Sequence, residues 1–253
     1  MFFKVHCKLN SITAHLLLTI AFGSVAVNAA EVKPPKKPVY KIRLNDTGMT
    51  TCSDGTDTPV PCPVKDYPGQ DAQYGRDKTN NNKADGHAGF SFTKISATGK
   101  PLPASAKVWR CVKDNVTGLM WEGKTNDGGL HDKDWTYSWY NPNKKTNGGT
   151  VGTKNGGTCK NNTGCDTYAY VKAVNNAGWC GYKDWRMPTR WELFNLLSWA
   201  FVGFDKNYFP EADIGVMWTS SSYALADSYA WNVGGGMLNS YKSDTNQVRL
   251  VRG

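Results

Sequence analysis

The sequence predicts an α+β domain that is stapled by disulfides. Two segments of helical period lie between segments that alternate with a period of two, as expected for helices flanked by antiparallel strands. Six cysteines follow residue 50, and an even number in an exported chain is typical of a disulfide framework. The beginning of the chain indicates that export.

Residues 1–29 have the three parts of a removable secretion signal. Lys4 and Lys8 make the start basic, residues 16–27 are an uncharged apolar run, and small residues precede a cut after Ala29. A membrane-spanning helix needs about 20 apolar residues, and this run is shorter. We expect cleavage here or one residue later, and a mature protein in the periplasm, at the cell surface or in the medium.

The cysteines that remain after cleavage allow many pairings. Short turn-rich loops favour two of the pairs and leave one long-range pair. The expected disulfides are Cys52–Cys62, Cys159–Cys165 and Cys111–Cys180. The long-range bridge should stabilise the fold most, because it closes the longest loop. A zinc site is not expected, since the chain has no C-x-x-C pair.

The mature chain divides into three parts. Residues 30–43 are rich in proline and lysine, which predicts an extended tether. Residues 44–107 are polar, with scattered glycine and proline, and form a disulfide-containing lead-in segment that lies on the main domain or forms a small lobe. The main domain occupies residues 108–253. It starts with two short strands and continues with a long loop over about 123–164, which is either functional or disordered.

Two helices follow the loop. Asp166 or Thr167 is the expected N-terminal cap of the first helix, and Gly178 ends it. The second begins with the capping box Thr189-x-x-Glu192. Its apolar residues recur with helical period and are expected to be buried: Trp191, Phe194, Leu197 and Phe201. Beyond them, alternating apolar and polar residues predict antiparallel strands to the C-terminus.

Four motifs stand in a fixed order in the main domain. They are WRCVxDNxTGLMW at 109–121, DWRMPTxxEL at 184–193, WTSS at 218–221 and VRLVRG at 248–253. Together they resemble the C-terminal domain family of the Legionella collagen-like adhesin. The resemblance implies a C-type-lectin-like fold, similar also to formylglycine-generating sulfatase activators, and a bacterial surface adhesin that binds sulfated glycosaminoglycans. This chain lacks the collagen repeat, so trimerisation through a stalk is not implied.

The charge of the chain suggests what it binds. The formal net charge is +9, and the chain stays basic after cleavage of the signal. A basic exported protein attracts polyanions such as sulfated or uronic-acid polysaccharide, although solubility alone also explains such a charge. Specific nucleic-acid recognition is not expected. The predicted ligand contacts are Lys144, Lys145, Lys154 and Lys160 on the long loop, with Lys242 and Arg249 on the last strands.

Neither catalysis nor a cofactor is expected. Sulfatase activators need redox-active cysteines late in the chain, and the last cysteine here is Cys180. His87 and His131 lie in loops without a nucleophile signature. The calcium motif of C-type lectins is absent. Calcium binding is possible in principle at two oxygen-rich groups, although neither matches the spacing of a calcium loop: Asp77-x-Thr79-x-Asn81, and the set Asn126, Asp127, Asp132 and Asp134.

The sequence therefore predicts an exported, non-catalytic adhesin or binding protein for acidic or sulfated polysaccharide. A structural or assembly module that binds a protein partner is the alternative. An enzyme related to the sulfatase activators is the third hypothesis, which the missing late cysteines disfavour.

Overall fold

The computed structural model describes residues 43–56, 58–80, 82–200, 203–212 and 215–253. The predicted signal and nearly all of the predicted tether lie outside these residues. Within the described parts of the chain, no helix has the length and apolar character needed to cross a membrane.

The described residues contain three α-helices, and two of them are the predicted ones. They are α1 (Gly75–Thr79), α2 (Thr167–Ala177) and α3 (Arg190–Phe194). The cap predictions for α2 are confirmed, because the Asp166 side chain accepts the amide of Ala169 at 2.8 Å and Gly178 adopts the left-handed conformation. The capping box of α3 is also present.

Helix α3, the second of the two predicted helices, is shorter than predicted. It ends at Phe194, after less than two turns, and the chain then folds back through a backbone bridge between Ser198 and Gly203. The apolar stripe therefore does not continue along one helix face. Leu197 is buried as expected, but Trp191 is 57% exposed, and the side chain of residue 201 lies outside the described part.

The described residues contain ten strands, which form antiparallel pairs. They are β1 (Phe92–Ile95), β2 (Pro101–Leu102), β3 (Cys111–Asp114), β4 (Met120–Glu122), β5 (Tyr137–Ser138), β6 (Met217–Ser222), β7 (Tyr229–Val233), β8 (Met237–Tyr241), β9 (Thr245–Asn246) and β10 (Val251–Arg252). Three sheets result, with the orders β10-β4-β3-β1-β2, β6-β7-β8 and β5-β9. The mixed helix and antiparallel sheet class is thus confirmed.

The largest sheet joins distant parts of the chain. Strand β1 of the lead-in segment pairs with β3, with Ile95 opposite Cys111. The C-terminal strand β10 pairs with β4, with Val251 opposite Trp121. The lead-in segment, the first strands of the main domain and the C-terminus therefore share one sheet.

The described residues contain three disulfides, and these join the three predicted pairs of cysteines. The Cys52–Cys62 and Cys159–Cys165 bridges close local loops, and Cys111–Cys180 spans 69 residues. The long-range bridge ties β3 to the turn after α2. It lies in a core cluster that includes Trp185 and Trp218.

A buried charged side chain, Glu122, also joins separate parts of the interior. The carboxylate of Glu122 is fully buried. One of its oxygens accepts hydrogen bonds from Nζ of Lys124 at 3.2 Å, from Nδ1 of His131 at 2.8 Å and from the hydroxyl of Tyr170. Its other oxygen accepts the amide of Leu250 at 2.9 Å. We call Glu122 and its three side-chain partners the Glu122 cluster. Burial acts to raise the pKa of Glu122, but the charge of Lys124 and the hydrogen bonds outweigh it and hold this pKa well below its ordinary value.

Arg249, predicted as a ligand contact, packs beside this cluster. It is only 2% exposed, its Nη1 atom donates to the carbonyl of Glu122 at 2.6 Å, and its guanidinium lies 5.1–5.2 Å from the rings of Phe204 and Phe209. Burial lowers the pKa of Arg249 to about 10. The prediction of a surface contact is therefore wrong, because this cation is used inside the fold.

The depressed pKa of Glu122 predicts acid sensitivity. The carboxylate stabilises the fold fully above its unfolded pKa, near 4.5, and this contribution is lost as the pH falls toward the folded value. Glu122→Gln should cost about 3–5 kcal/mol at pH 7, because it leaves buried cations unpaired. It should also flatten the decline of stability below pH 4.5 relative to wild type, as measured by urea unfolding across pH. Glu211→Gln is the control, and an unchanged acid decline in Glu122→Gln would contradict the assignment.

Candidate functional site

The long loop of residues 123–164 is ordered. Its strand β5 pairs with β9 near the C-terminus. Within the loop, Thr136 pairs with Thr158 through two backbone hydrogen bonds of 2.9 and 3.0 Å. A further bridge joins Tyr140 to Gly152. Of the two alternatives for this loop, the structure excludes disorder and leaves a defined surface.

The buried side chain of Lys242 binds the part of this loop around residues 147–150. Its ammonium donates to the carbonyl oxygens of Asn147 and Thr150, each at 2.7 Å, and to that of Asp227, and it lies 4.5 Å from the ring centre of Trp139. The residue is 2% exposed, and burial lowers its pKa. Lys242 is therefore a loop anchor, and its prediction as a ligand contact is wrong.

A cleft of about 620 Å³ opens beside the anchored loop. It lies between loop residues 139–146, the first turn of α2 and the beginning of α3. The lining residues are Trp139, Tyr140, Asn141, Thr146, Thr167, Tyr168, Val171, Arg186, Met187, Thr189, Glu192 and Ser220. Its volume is in the range of ligand pockets in proteins, which are commonly lined by aromatic side chains with a few polar groups.

Aromatic side chains form one wall of the cleft. Tyr140 and Tyr168 meet edge to face with ring centres 6.1 Å apart, and Tyr168 is 46% exposed. Trp139 is buried behind them, where its indole nitrogen donates to the carbonyl of Thr219 at 2.8 Å. The hydroxyl of Thr167 donates to the carbonyl of Tyr140 at 3.0 Å. This hydrogen bond joins the loop to α2, so the two sides of the wall are held together.

An ion pair forms the polar floor of the cleft. Arg186 donates to both oxygens of Glu192, at 2.9 and 2.7 Å, and Glu192 also accepts the amide of Thr189 at 2.8 Å. Burial acts to raise the pKa of Glu192, but these hydrogen bonds lower it below its ordinary value. The neighbouring Asp184 pairs with Arg252 at 2.7 Å.

The predicted loop lysines differ in their distance from the cleft along the chain. Lys144 and Lys145 are exposed and lie between Asn141 and Thr146, which both line the cleft. Lys154 and Lys160 are exposed on the later part of the loop, beyond the lining residues.

Sequence reasoning missed Tyr168 of α2, which lines the cleft, and its neighbour Lys172. The Nζ atom of Lys172 lies 5.7 Å from the ring centre of Tyr168. Their spacing of four residues places both on one helix face. This four-residue spacing is visible in the sequence and could have indicated the pair.

The two oxygen-rich groups of the sequence make local hydrogen bonds where the structure describes them. The Asp132 carboxylate accepts backbone amides of Asp127, Gly128 and Asp134 at 2.7–2.9 Å, which makes it the organiser of a turn. In the other group, the hydroxyl of Thr79 donates to the carbonyl of Gly75 at 2.8 Å, and residue 81 lies outside the described part.

A second cavity, of about 280 Å³, carries charges of both signs. Its charged lining residues are Lys107, Arg110, Lys124, Arg249, Asp127 and Glu211. Lys124 and Arg249 are bonded to Glu122 inside the fold. The remaining charged residues are two cations, Lys107 and Arg110, and two acids, Asp127 and Glu211. The larger cleft is therefore the better candidate site.

Comparison with known proteins gives one match. Residues 110–252 match the model of the Lcl C-terminal domain family. No curated protein and no solved structure matches the chain. The C-type-lectin-like fold therefore remains an implication of the resemblance.

The role of Lys242 predicts the effect of its removal. Lys242→Met should destabilise the protein by about 2–4 kcal/mol, because buried carbonyl oxygens lose their donor. Native-state proteolysis should then cut near residues 143–151, as mapped by mass spectrometry. Lys145→Met is the matched control, because that lysine is exposed. Equal protease resistance of Lys242→Met and wild type would contradict the anchor.

Proposed function

We propose that this chain, which belongs to the Lcl C-terminal domain family, is an exported, non-catalytic binding protein that recognises acidic or sulfated polysaccharide. Family membership implies an adhesin-like or surface protein. The three disulfides are compatible with work outside the cytoplasm, where such bonds persist.

The observation that carries the proposal is the aromatic cleft, together with exposed lysines on the two segments of chain that line it. Sugar rings have apolar faces that stack on aromatic rings, and Tyr168 presents such a ring to solvent. The Nζ atom of Lys172 lies 5.7 Å from the centre of that ring, and Lys144 and Lys145 are exposed in the chain between two lining residues, Asn141 and Thr146. A polysaccharide that carries sulfate or carboxylate groups combines both requirements, and ionic contacts to exposed lysines weaken as salt rises.

The state of the reactive side chains supports a binding role. All six cysteines of the described chain are in disulfides. His131 bonds to Glu122 through Nδ1 and stacks on Trp179 with ring centres 3.5 Å apart. These groups are therefore engaged in the fold, and the proposal assigns them no chemistry.

A protein partner is the second candidate function. Exposed apolar side chains occur at the beginning of α3 and along the β6–β8 sheet. They are Trp191, Leu225, Leu238 and Tyr241. An interface built on them would be insensitive to salt, because apolar burial does not depend on charge.

The test is binding of the oxidised protein to immobilised sulfated, uronic and neutral polysaccharides at low and high salt. We expect retention on acidic but not neutral glycans, with loss at high salt. The double change Lys144→Gln/Lys145→Gln should weaken binding about fivefold, since each exposed ionic contact contributes about 0.5 kcal/mol. Tyr168→Ala should weaken it about tenfold through loss of stacking.

Matched controls separate the cleft from general charge. Lys100→Gln/Lys113→Gln removes the same charge from exposed positions elsewhere, and Tyr67→Ala removes a similarly exposed tyrosine. Arg110→Gln tests the second cavity. Equal losses in the control and cleft variants would reject the cleft. Absence of binding to every glycan by the folded wild type would reject the proposal and favour the protein partner.

A further inference from the structure

Three carboxylates of the lead-in segment converge in space. Asp46 precedes the first disulfide, Asp71 begins a short 3₁₀ turn (Asp71–Gln73), and Asp77 lies in α1. Each offers one oxygen, and the three oxygens lie within 4.8 Å of one another. Such proximity of like charges destabilises a fold unless something neutralises them.

A buried and unpartnered atom accompanies this convergence. Asp77 is 2% exposed, and its Oδ1 atom is buried without a hydrogen-bond partner. Leaving a buried carboxylate oxygen unsatisfied costs more than leaving a neutral group so. Native structures contain few such atoms, and an ion is one of the physical explanations for one.

The groups around Asp77 do not offset the free-energy cost of its buried carboxylate. Burial raises its pKa, as do the negative charges of Asp46 and Asp71, while the amide of Lys78 and the hydroxyl of Thr47 lower it. The Thr47 hydroxyl approaches Asp71 Oδ2 closely and lies 3.3 Å from Asp77 Oδ2. It has one proton for two carboxylates, so it satisfies only one of them.

We propose that Asp46, Asp71 and Asp77 bind a divalent cation, and that the cation is calcium. Calcium takes carboxylate oxygens at about 2.3–2.6 Å, so oxygens on opposite sides of the ion lie up to about 5 Å apart. The separations here fit that range. Asp71 is exposed, so solvent on its side supplies the further ligands that calcium takes. The site lies before residues 110–252 and does not depend on the polysaccharide proposal.

The ion has a structural consequence, because the segment that carries Asp46 is tied to the main domain. The carbonyl of Thr47 accepts the amide of Trp199 at 2.8 Å. Asn45 donates through Nδ2 to Asp114 at 2.6 Å and to the carbonyl of Asn195 at 3.3 Å. Asp46 itself accepts the backbone amides of Arg76 and Asp77 at the start of α1. Calcium therefore fastens α1 and the 3₁₀ turn to a segment that is already docked.

The test uses the oxidised protein after removal of metal ions. Calorimetric titration with CaCl₂ should show one site per chain, and saturating calcium should raise Tm by about 5–10 °C. MgCl₂ at the same concentration should give a smaller shift, because magnesium demands a tighter octahedral site. Asp71→Asn and Asp77→Asn should each weaken calcium binding at least tenfold.

One variant distinguishes a metal site from a merely structural cluster. In chelator, Asp77→Asn should be at least as stable as wild type, because the amide removes charge repulsion, while in calcium it should be less stable. Asp66→Asn, an exposed change in the same segment, should behave as wild type in both conditions. The proposal is overturned if wild type shows no heat and no Tm shift up to about 10 mM calcium, or if Asp66→Asn loses as much affinity as Asp71→Asn.

Discussion

The buried carboxylate of Glu122 is the constraint on which the rest of the fold depends. A charge that is removed from water must be paired and hydrogen-bonded, or it costs several kcal/mol. Its partners come from separate places: Lys124 and His131 from the loop after β4, Tyr170 from α2, and the amide of Leu250 from the segment before β10. If any of these parts moved away, the buried carboxylate would lose a hydrogen bond or its ionic partner, so one side chain restrains their relative positions.

This constraint also explains the cleft. Tyr170 and Val174 are four residues apart and buried on one face of α2, with Tyr170 bonded to Glu122. The same spacing puts Tyr168 and Lys172 on another face of that helix, where Tyr168 lines the cleft and the Nζ atom of Lys172 lies 5.7 Å from the ring centre of Tyr168. Lys242 joins the loop, through the carbonyl oxygens of Asn147 and Thr150, to the carbonyl of Asp227 between β6 and β7. Both sides of the site are thus held by buried polar groups, which reduces the conformational entropy that a ligand must remove.

Features that depend on neighbouring residues were predictable from the sequence, and features that depend on packing were not. The caps at Asp166 and Thr189 follow from local hydrogen bonds, and short loops indicated two disulfides. The burial of Lys242 and Arg249 was missed because both lie just outside regular strands, between β8 and β10. Strand alternation predicts direction only within a strand, so it assigned these two cations to the surface. The end of α3 was missed for a similar reason, because the reversal at Ser198 is a tertiary contact.

The charges of this chain therefore divide into two groups with different physical roles. Lys242 and Arg249 contribute to the formal charge, but they are bonded to carbonyl oxygens in the interior and are not available to a polyanion. The lysines around the cleft are exposed to solvent and are screened by salt. A salt-dependent affinity consequently reports on the exposed group alone, whereas a loss of stability reports on the buried group. Net charge cannot distinguish these roles, because it counts both groups equally.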